Sequence, residues 1–264
     1  MGIGAKSSFW RRMLFRVLAS TYVRRSCATE DGVFDAYVSP GSSLKVLDPR
    51  GLSIDRVHQR FIREWVDGRS TVWDIGTNLG LFALPAALKA RHGVVYGFEP
   101  DAEIVANVLR SLRLPRNAML NVMLFCMAVS DTDGTAGFQV SKFSRAMSRL
   151  AGVGQWQDAQ VRTAEMRSVP TLRIDTLAKS LAAPTVLKID VEGAEMQVLE
   201  GAKETISKSR PAILIEGPQE LRQPMGDFFR RYDYVMLDGA ADEKIPLTHP
   251  VWDTVAVPKE RFTI

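Results

Sequence analysis

Four residues at alternate positions, Asp74, Gly76, Asn78 and Gly80, punctuate the stretch Thr71-Val72-Trp73-Asp74-Ile75-Gly76-Thr77-Asn78-Leu79-Gly80. A β-rich apolar run ends in an acid, a glycine turn follows, and an apolar helical pattern begins at once, which reads as strand, tight turn, helix. Such a unit carries backbone N–H groups and a helix N-terminus to the carboxyl end of a central strand, where open α/β sheets bind ligands. The spacing differs from the dinucleotide fingerprint G-x-G-x-x-G because an acid leads it. An acid there repels a pyrophosphate and attracts an ammonium group, such as the one at the amino acid end of S-adenosylmethionine (SAM). Gly76 is expected to let the backbone approach a ligand, and Gly80 to let the helix pack closely on the strand. Thr77 and Asn78 lie between them in the same turn. The alternative is an ordinary glycine-containing β–α turn.

Two further groups of residues extend this chemistry. Glu99 ends the apolar run Val94-Val95-Tyr96-Gly97-Phe98, 25 positions after Asp74. An acid at the end of the second strand can accept hydrogen bonds from both ribose hydroxyls, whereas the bland reading is an exposed strand-end carboxylate. Ala128-Val129-Ser130-Asp131, after a third apolar run, would place small and apolar side chains against an adenine ring. The second constellation is Lys188-Ile189-Asp190-Val191-Glu192-Gly193-Ala194-Glu195. Strand alternation puts Lys188 and Asp190 on one face. These acids and the lysine can orient a hydroxyl acceptor, take its proton or hold a cation. For Glu195 the simpler expectation is that it favours the dipole of the following helix.

The elements that must position these residues follow from length and pattern. At 264 residues, 46% hydrophobic and 24% charged, the chain has the composition of one large α/β domain. Cys27 and Cys126 make no disulfide framework, and no apolar run reaches the roughly 20 residues of a spanning helix, so a cytoplasmic protein is expected. Helical spacing is expected over residues 56–66, 79–91 and 102–112, with Pro85 kinking the second helix or delaying its start. Further strands are expected over residues 185–190, 212–216, 234–237 and 254–257. The last two have no helix between them, so they close the sheet as an antiparallel hairpin, unlike a nicotinamide-binding half. Residues 28–56 read as a small β-containing lead-in, and 141–168 as a polar lid, substrate loop or disordered segment. Residues 1–25 carry Lys6, Arg11, Arg12, Arg16, Arg24 and Arg25 on a pattern that reads as a basic amphipathic helix, either packed on the domain or lying on an anionic membrane. The division expected is therefore 1–55 and 56–264.

Taken in order, residues 72–80, 97–100, 128–131, 188–195, 198–202 and 211–216 resemble the FkbM family of SAM-dependent methyltransferases. The resemblance implies a class I methyltransferase (Rossmann-like) fold, a doubly wound seven-stranded sheet with its last strand antiparallel. It implies SAM as cofactor at Asp74, Gly76, Asn78 and Glu99, with Thr77, Gly80, Ala128 and Ser130 completing the set. Family members O-methylate hydroxyls of sugars or secondary metabolites, so the expected acceptor is a saccharide, glycolipid or secondary metabolite. Asp190 is then the first candidate for the base, helped by Glu192 and Lys188, with no metal. Pro85 and residues 141–168 depart from the pattern. A nicotinamide oxidoreductase and a SAM-binding protein without turnover are the competing readings. Basic residues without interleaved aromatics argue against a nucleic-acid partner.

Overall fold

The computed structural model describes residues 21–39, 52–141, 148–152 and 163–262. A hairpin of β1 (Val23–Thr29) and β2 (Gly32–Val38) precedes helix α1 (Arg56–Trp65). Then come β3 (Thr71–Ile75), α2 (Ala83–Lys89), β4 (Val94–Phe98), α3 (Ala102–Leu112), β5 (Val122–Phe125), β6 (Ala128–Val129), β7 (Gly134–Ser141), β8 (Arg149–Leu150) and β9 (Thr163–Leu172). The chain continues through α4 (Ile174–Leu177), β10 (Val186–Ile189), α5 (Glu195–Glu200), α6 (Lys203–Ser209), β11 (Ala212–Glu216), α7 (Arg222–Arg231), β12 (Tyr234–Asp238) and β13 (Asp253–Pro258).

Seven strands form the main sheet in the order β12-β13-β11-β10-β3-β4-β5. Strands β11, β10, β3, β4 and β5 run parallel, and β13 lies antiparallel to both β11 and β12. This is the class I methyltransferase arrangement. The inner strands are apolar throughout because helices cover both faces. Trp73, Ile75, Phe98, Leu187, Ile189, Ile213 and Ile215 fill one layer; Val72, Val95, Val186, Ala212 and Leu214 fill the other. Two charged residues enter the second layer by strict alternation, Asp74 after Val72 and Lys188 after Val186, and they are register partners.

Local signals decide where the helices start. Asp55 accepts from the Val57 N–H (2.8 Å) and Asp101 from the Glu103 N–H (3.0 Å), capping α1 and α3. Helix α2 begins at Ala83, so Pro85 falls in its first turn, where a missing N–H leaves no intrahelical bond unmade. Of the two outcomes expected of Pro85, a kink or a late start, the helix takes the late start.

Two expectations change. Residues 141–168 are not a featureless lid where they are described: Ser141 ends β7, and β8 and β9 pair with it in a second, four-stranded sheet of order β6-β9-β7-β8. The two stretches 142–147 and 153–162 lie outside the described residues, as do residues 1–20. Arg24 and Arg25, expected to follow a helical pattern, belong instead to β1, where Arg24 meets the buried Asp35 carboxylate at 2.6 Å. The β1–β2 hairpin is the β-containing element expected in the lead-in, and its Phe34, Ala36 and Val38 share a core with Leu79 and Leu84.

Candidate active site

The turn after β3 is held by backbone bonds to the neighbouring strands. The Gly76 and Thr77 N–H groups both donate to the Phe98 carbonyl (2.9 and 3.1 Å), and the Thr77 hydroxyl donates to the Asp74 carbonyl (3.0 Å). Gly76 has φ +81°, and a Cβ on it would stand 1.8 Å from the Asp190 carbonyl oxygen. The close approach of the chain after β10 therefore by itself requires a glycine here. Gly80 likewise serves packing: its Cβ would meet Val108 of α3 at 3.1 Å. Asn78 takes a left-handed φ of +46°, which asparagine tolerates. That conformation aims its N–H at Glu99 Oε2 (3.0 Å).

Glu99 is the best-anchored acid of the site. Its Oε2 accepts from Asn78 N–H and its Oε1 from Asp101 N–H (2.9 Å), so both oxygens are fixed while each retains acceptor capacity. Burial lifts its carboxyl to about 7, against the pull of those two N–H groups. Beside it opens a cavity of about 640 Å³, continuous with solvent. Its apolar wall comprises Ile75, Phe98, Ile104, Met127, Ala128, Val129, Phe138, Leu150 and Val191; Gly76, Asn78, Glu99, Asp190 and Glu192 line the rest with Ser148 and Arg149. Asn78 Oδ1 is buried without a hydrogen-bond partner. The cavity thus has an acid with two fixed oxygens and an apolar slot, with an unpartnered amide oxygen buried beside it.

Of the twelve positions with a functional expectation, counting Glu195, the structure brings Gly76, Asn78, Glu99, Ala128, Asp190 and Glu192 to this cavity. Thr77, Gly80 and Ser130 stand behind it. Asp74 and Lys188 lie beneath it, 0% and 3% exposed, with Lys188 Nζ 3.3 Å from Asp74 Oδ1, 3.1 Å from Asp190 Oδ2 and donating to the Gly76 carbonyl at 2.9 Å. Asp74, expected to attract a cofactor ammonium, here faces the Lys188 ammonium. Both Asp74 oxygens are buried without a hydrogen bond, and burial pushes its carboxyl up despite the neighbouring ammonium. Burial alone would depress Lys188, but Asp190, Asp74 and Glu216 together raise it. Lys188 thus sits as the shared counter-charge of Asp74 and Asp190 and ties both to the turn at Gly76.

The remaining acids crowd the same sheet edge. Desolvation, then the charges of Asp190, Glu195 and Glu216, lift the Glu192 carboxyl to about 7. Desolvation leads this lift although part of the residue is exposed, and the neighbouring acids add to it. Glu192 also holds φ +54°, a conformation that costs a non-glycine residue energy. Glu195 opens α5 as expected, accepting from Gly193 N–H at 2.9 Å. Glu216 lies 3.5 Å from His58 Nε2, and Asp253 opposite it is lifted to about 6 by burial and by the charges of Glu216 and Asp55. Phe138, Ser148, Arg149 and Leu150 were missed as wall residues. Alternation around Phe138 and Val140 signalled a strand, but no local pattern signals that β8 folds over the cavity.

The sequence profile of the methyltransferase FkbM domain matches residues 74–236. Among curated proteins, the chain is 28% identical over 145 residues to the hexuronic acid methyltransferase AglP of Haloferax volcanii, covering 54% of this chain and 54% of that protein. It is 24% identical over 176 residues to the 2-O-methyltransferase NoeI of Sinorhizobium fredii, covering 63% and 71%. The chain thus spans about half the length of the first of these relatives. Among solved structures, the methyltransferase FkbM of Methylobacillus flagellatus KT superimposes with a TM-score of 0.47 at 18% identity, over 72% of this chain and 43% of that one.

Proposed function

Because the chain belongs to the FkbM methyltransferase family, we propose that it transfers the methyl group of SAM to a hydroxyl oxygen of a saccharide or a related polyhydroxylated acceptor. The carrying observation is Glu99, whose two oxygens are each held by one backbone N–H at the end of the second parallel strand and face a cavity with an apolar wall. A ribose diol donates to two such oxygens, and the wall from Ile104 through Met127 to Leu150 suits a flat aromatic base. Asn78 Oδ1, buried and unpartnered, suits an ammonium. SAM supplies an electrophilic methyl that needs no further activation.

The chain must then present an acceptor oxygen in line and remove its proton. Asp190, fixed by Lys188, orients the hydroxyl. Glu192, with a carboxyl near 7, takes the proton, since a base is most effective when its pKa lies near the working pH. This division of labour refines the expectation that Asp190 itself is the base. One relative is named for a hexuronic acid acceptor and the other for 2-O-methyl transfer, which supports a hydroxyl of a sugar-like acceptor. Calorimetry with SAM and with NAD in parallel tests the cofactor; binding of NAD but not SAM would end this reading.

A further inference from the structure

We propose that Trp252 is the stacking platform of a saccharide subsite next to the acceptor position, taking a neutral or aminated pyranose ring and rejecting a uronate. The inference rests on the reading above and extends it to the substrate class. Trp252 leaves 55% of its surface in solvent. Its backbone is nevertheless fixed. Its carbonyl accepts from Gly217 N–H at 3.0 Å, and the Thr254 hydroxyl bridges the Val251 N–H and carbonyl at 2.8 Å each. The buried Pro250 rests against Gly226 of α7. The loop that carries the indole is thus held in place, with the indole itself more than half in solvent.

Its position gives that exposure a purpose. Ile189 is level with Ile215, so Asp190 and Glu216 leave their strands side by side, and Asp253 stands opposite Glu216. Trp252 precedes Asp253 at the carboxyl edge of the parallel strands. Two strand spacings, roughly 10 Å, separate β13 from β10, the reach of a ring adjoining the one that carries the methylated hydroxyl. A pyranose has an apolar C–H face and a rim of hydroxyls. The electron-rich face of an indole attracts the former, and carboxylates accept from the latter. The charges around this edge are Asp55, Asp190, Glu192, Glu216, Asp238 and Asp253 against Lys188 and the cavity-lining Arg149, with the His58 imidazole beside Glu216. That surplus of negative charge repels a carboxylated ring and tolerates or attracts a neutral or aminated one.

The test uses the full chain with SAM present. Cellobiose, glucosamine and glucuronate at millimolar concentration are scored by saturation-transfer NMR and by quenching of tryptophan fluorescence. Cellobiose and glucosamine are expected to bind at least tenfold more tightly than glucuronate. Trp252→Ala should weaken them tenfold or more, Trp252→Tyr should retain most of the affinity, and both variants should bind SAM within twofold of the parent. Equal sugar affinity in Trp252→Ala, equal binding of glucuronate, or no binding of any of the three rings overturns the subsite. Sugar binding that depends on Trp252 in a parent that fails to bind SAM would uphold the subsite and remove the methyl-transfer reading instead.

Discussion

Lys188→Met keeps the length of a buried side chain while deleting its charge and its three donors. In the parent the ammonium lies 2.9 Å from the Gly76 carbonyl, 3.1 Å from Asp190 and 3.3 Å from Asp74. Deleting one member of a buried charge network costs roughly 3–5 kcal/mol, because the partners left behind are neither solvated nor compensated. At about 2–4 °C per kcal/mol for a domain near this size, Tm falls by roughly 6–20 °C at pH 8. The pH dependence sharpens the test. Lys188 is raised above its ordinary 10.5, so its contribution is fully present below that value and is constant between pH 5 and 9. In the variant, Asp74 loses its cation and its already raised carboxyl climbs further. A carboxyl that is protonated when folded and ionised when unfolded costs about 1.4 kcal/mol for each pH unit above its ordinary value. The gap between parent and variant should therefore be narrowest near pH 4.5 and widen toward pH 8, and adding Asp74→Asn should remove that slope. Thermal unfolding followed by circular dichroism at three pH values measures both. A variant within 2 °C of the parent at pH 8, or a gap that ignores pH, would refute the assignment of Lys188 as a buried counter-charge.

Glu99→Ala should abolish measurable SAM binding by calorimetry with the fold retained. Because Glu99 is raised to about 7, its own stabilising contribution is fully present below its ordinary 4.5 and is lost as pH rises through about 7. Ligand hydroxyls that donate to the ionised form should draw that value down, so SAM binding near pH 7 should release protons, seen as an enthalpy that varies with the buffer's heat of ionisation. Asp190→Asn should bind SAM almost normally and lose turnover by about 10²-fold or more, whereas Glu192→Gln should in addition erase the limb near pH 7 from the pH–rate profile. With the Lys188 ammonium already 3.1 Å from Asp190, EDTA should leave turnover unchanged; silencing by EDTA with restoration by Mg²⁺ would instead make Asp190 a metal ligand. Deleting residues 1–20 should weaken co-sedimentation with anionic vesicles, and equal pelleting of both forms would argue against a membrane role for that basic segment.

The central strands were legible because burial on both faces makes them read as uninterrupted apolar runs, as in Val186-Leu187-Lys188-Ile189 and Ala212-Ile213-Leu214-Ile215. The acids at their ends were legible for the same reason: a charge that stops such a run marks the carboxyl edge. What one strand cannot reveal is what its acid meets. Asp74 lies one residue inside the end of β3 and faces the second layer by alternation, whereas Glu99 follows the end of β4 and lines the cavity. The cation that meets Asp74, Lys188, comes from a segment more than a hundred residues away. The second sheet was hidden for a related reason. Strand β9 is polar and contains Pro170, which pairs with Thr135, so its identity depends on β7 rather than on its own alternation.

The place of β13 has a consequence for how the chain acquires its shape during synthesis. β12 leaves the ribosome first, yet its seat is one strand further out than that of β13, which must enter between it and β11. Until Asp253–Pro258 has emerged, β11 presents the unpaired edge of an apolar strand, and β12 has nothing in the main sheet to pair with. Vectorial folding therefore pauses with an adhesive edge on display, the state in which nascent chains most readily capture one another. A ribosome stalled between Asp238 and Asp253 should yield a nascent chain that holds the parallel core but recruits holdase chaperones, and release from that chaperone should coincide with the appearance of β13.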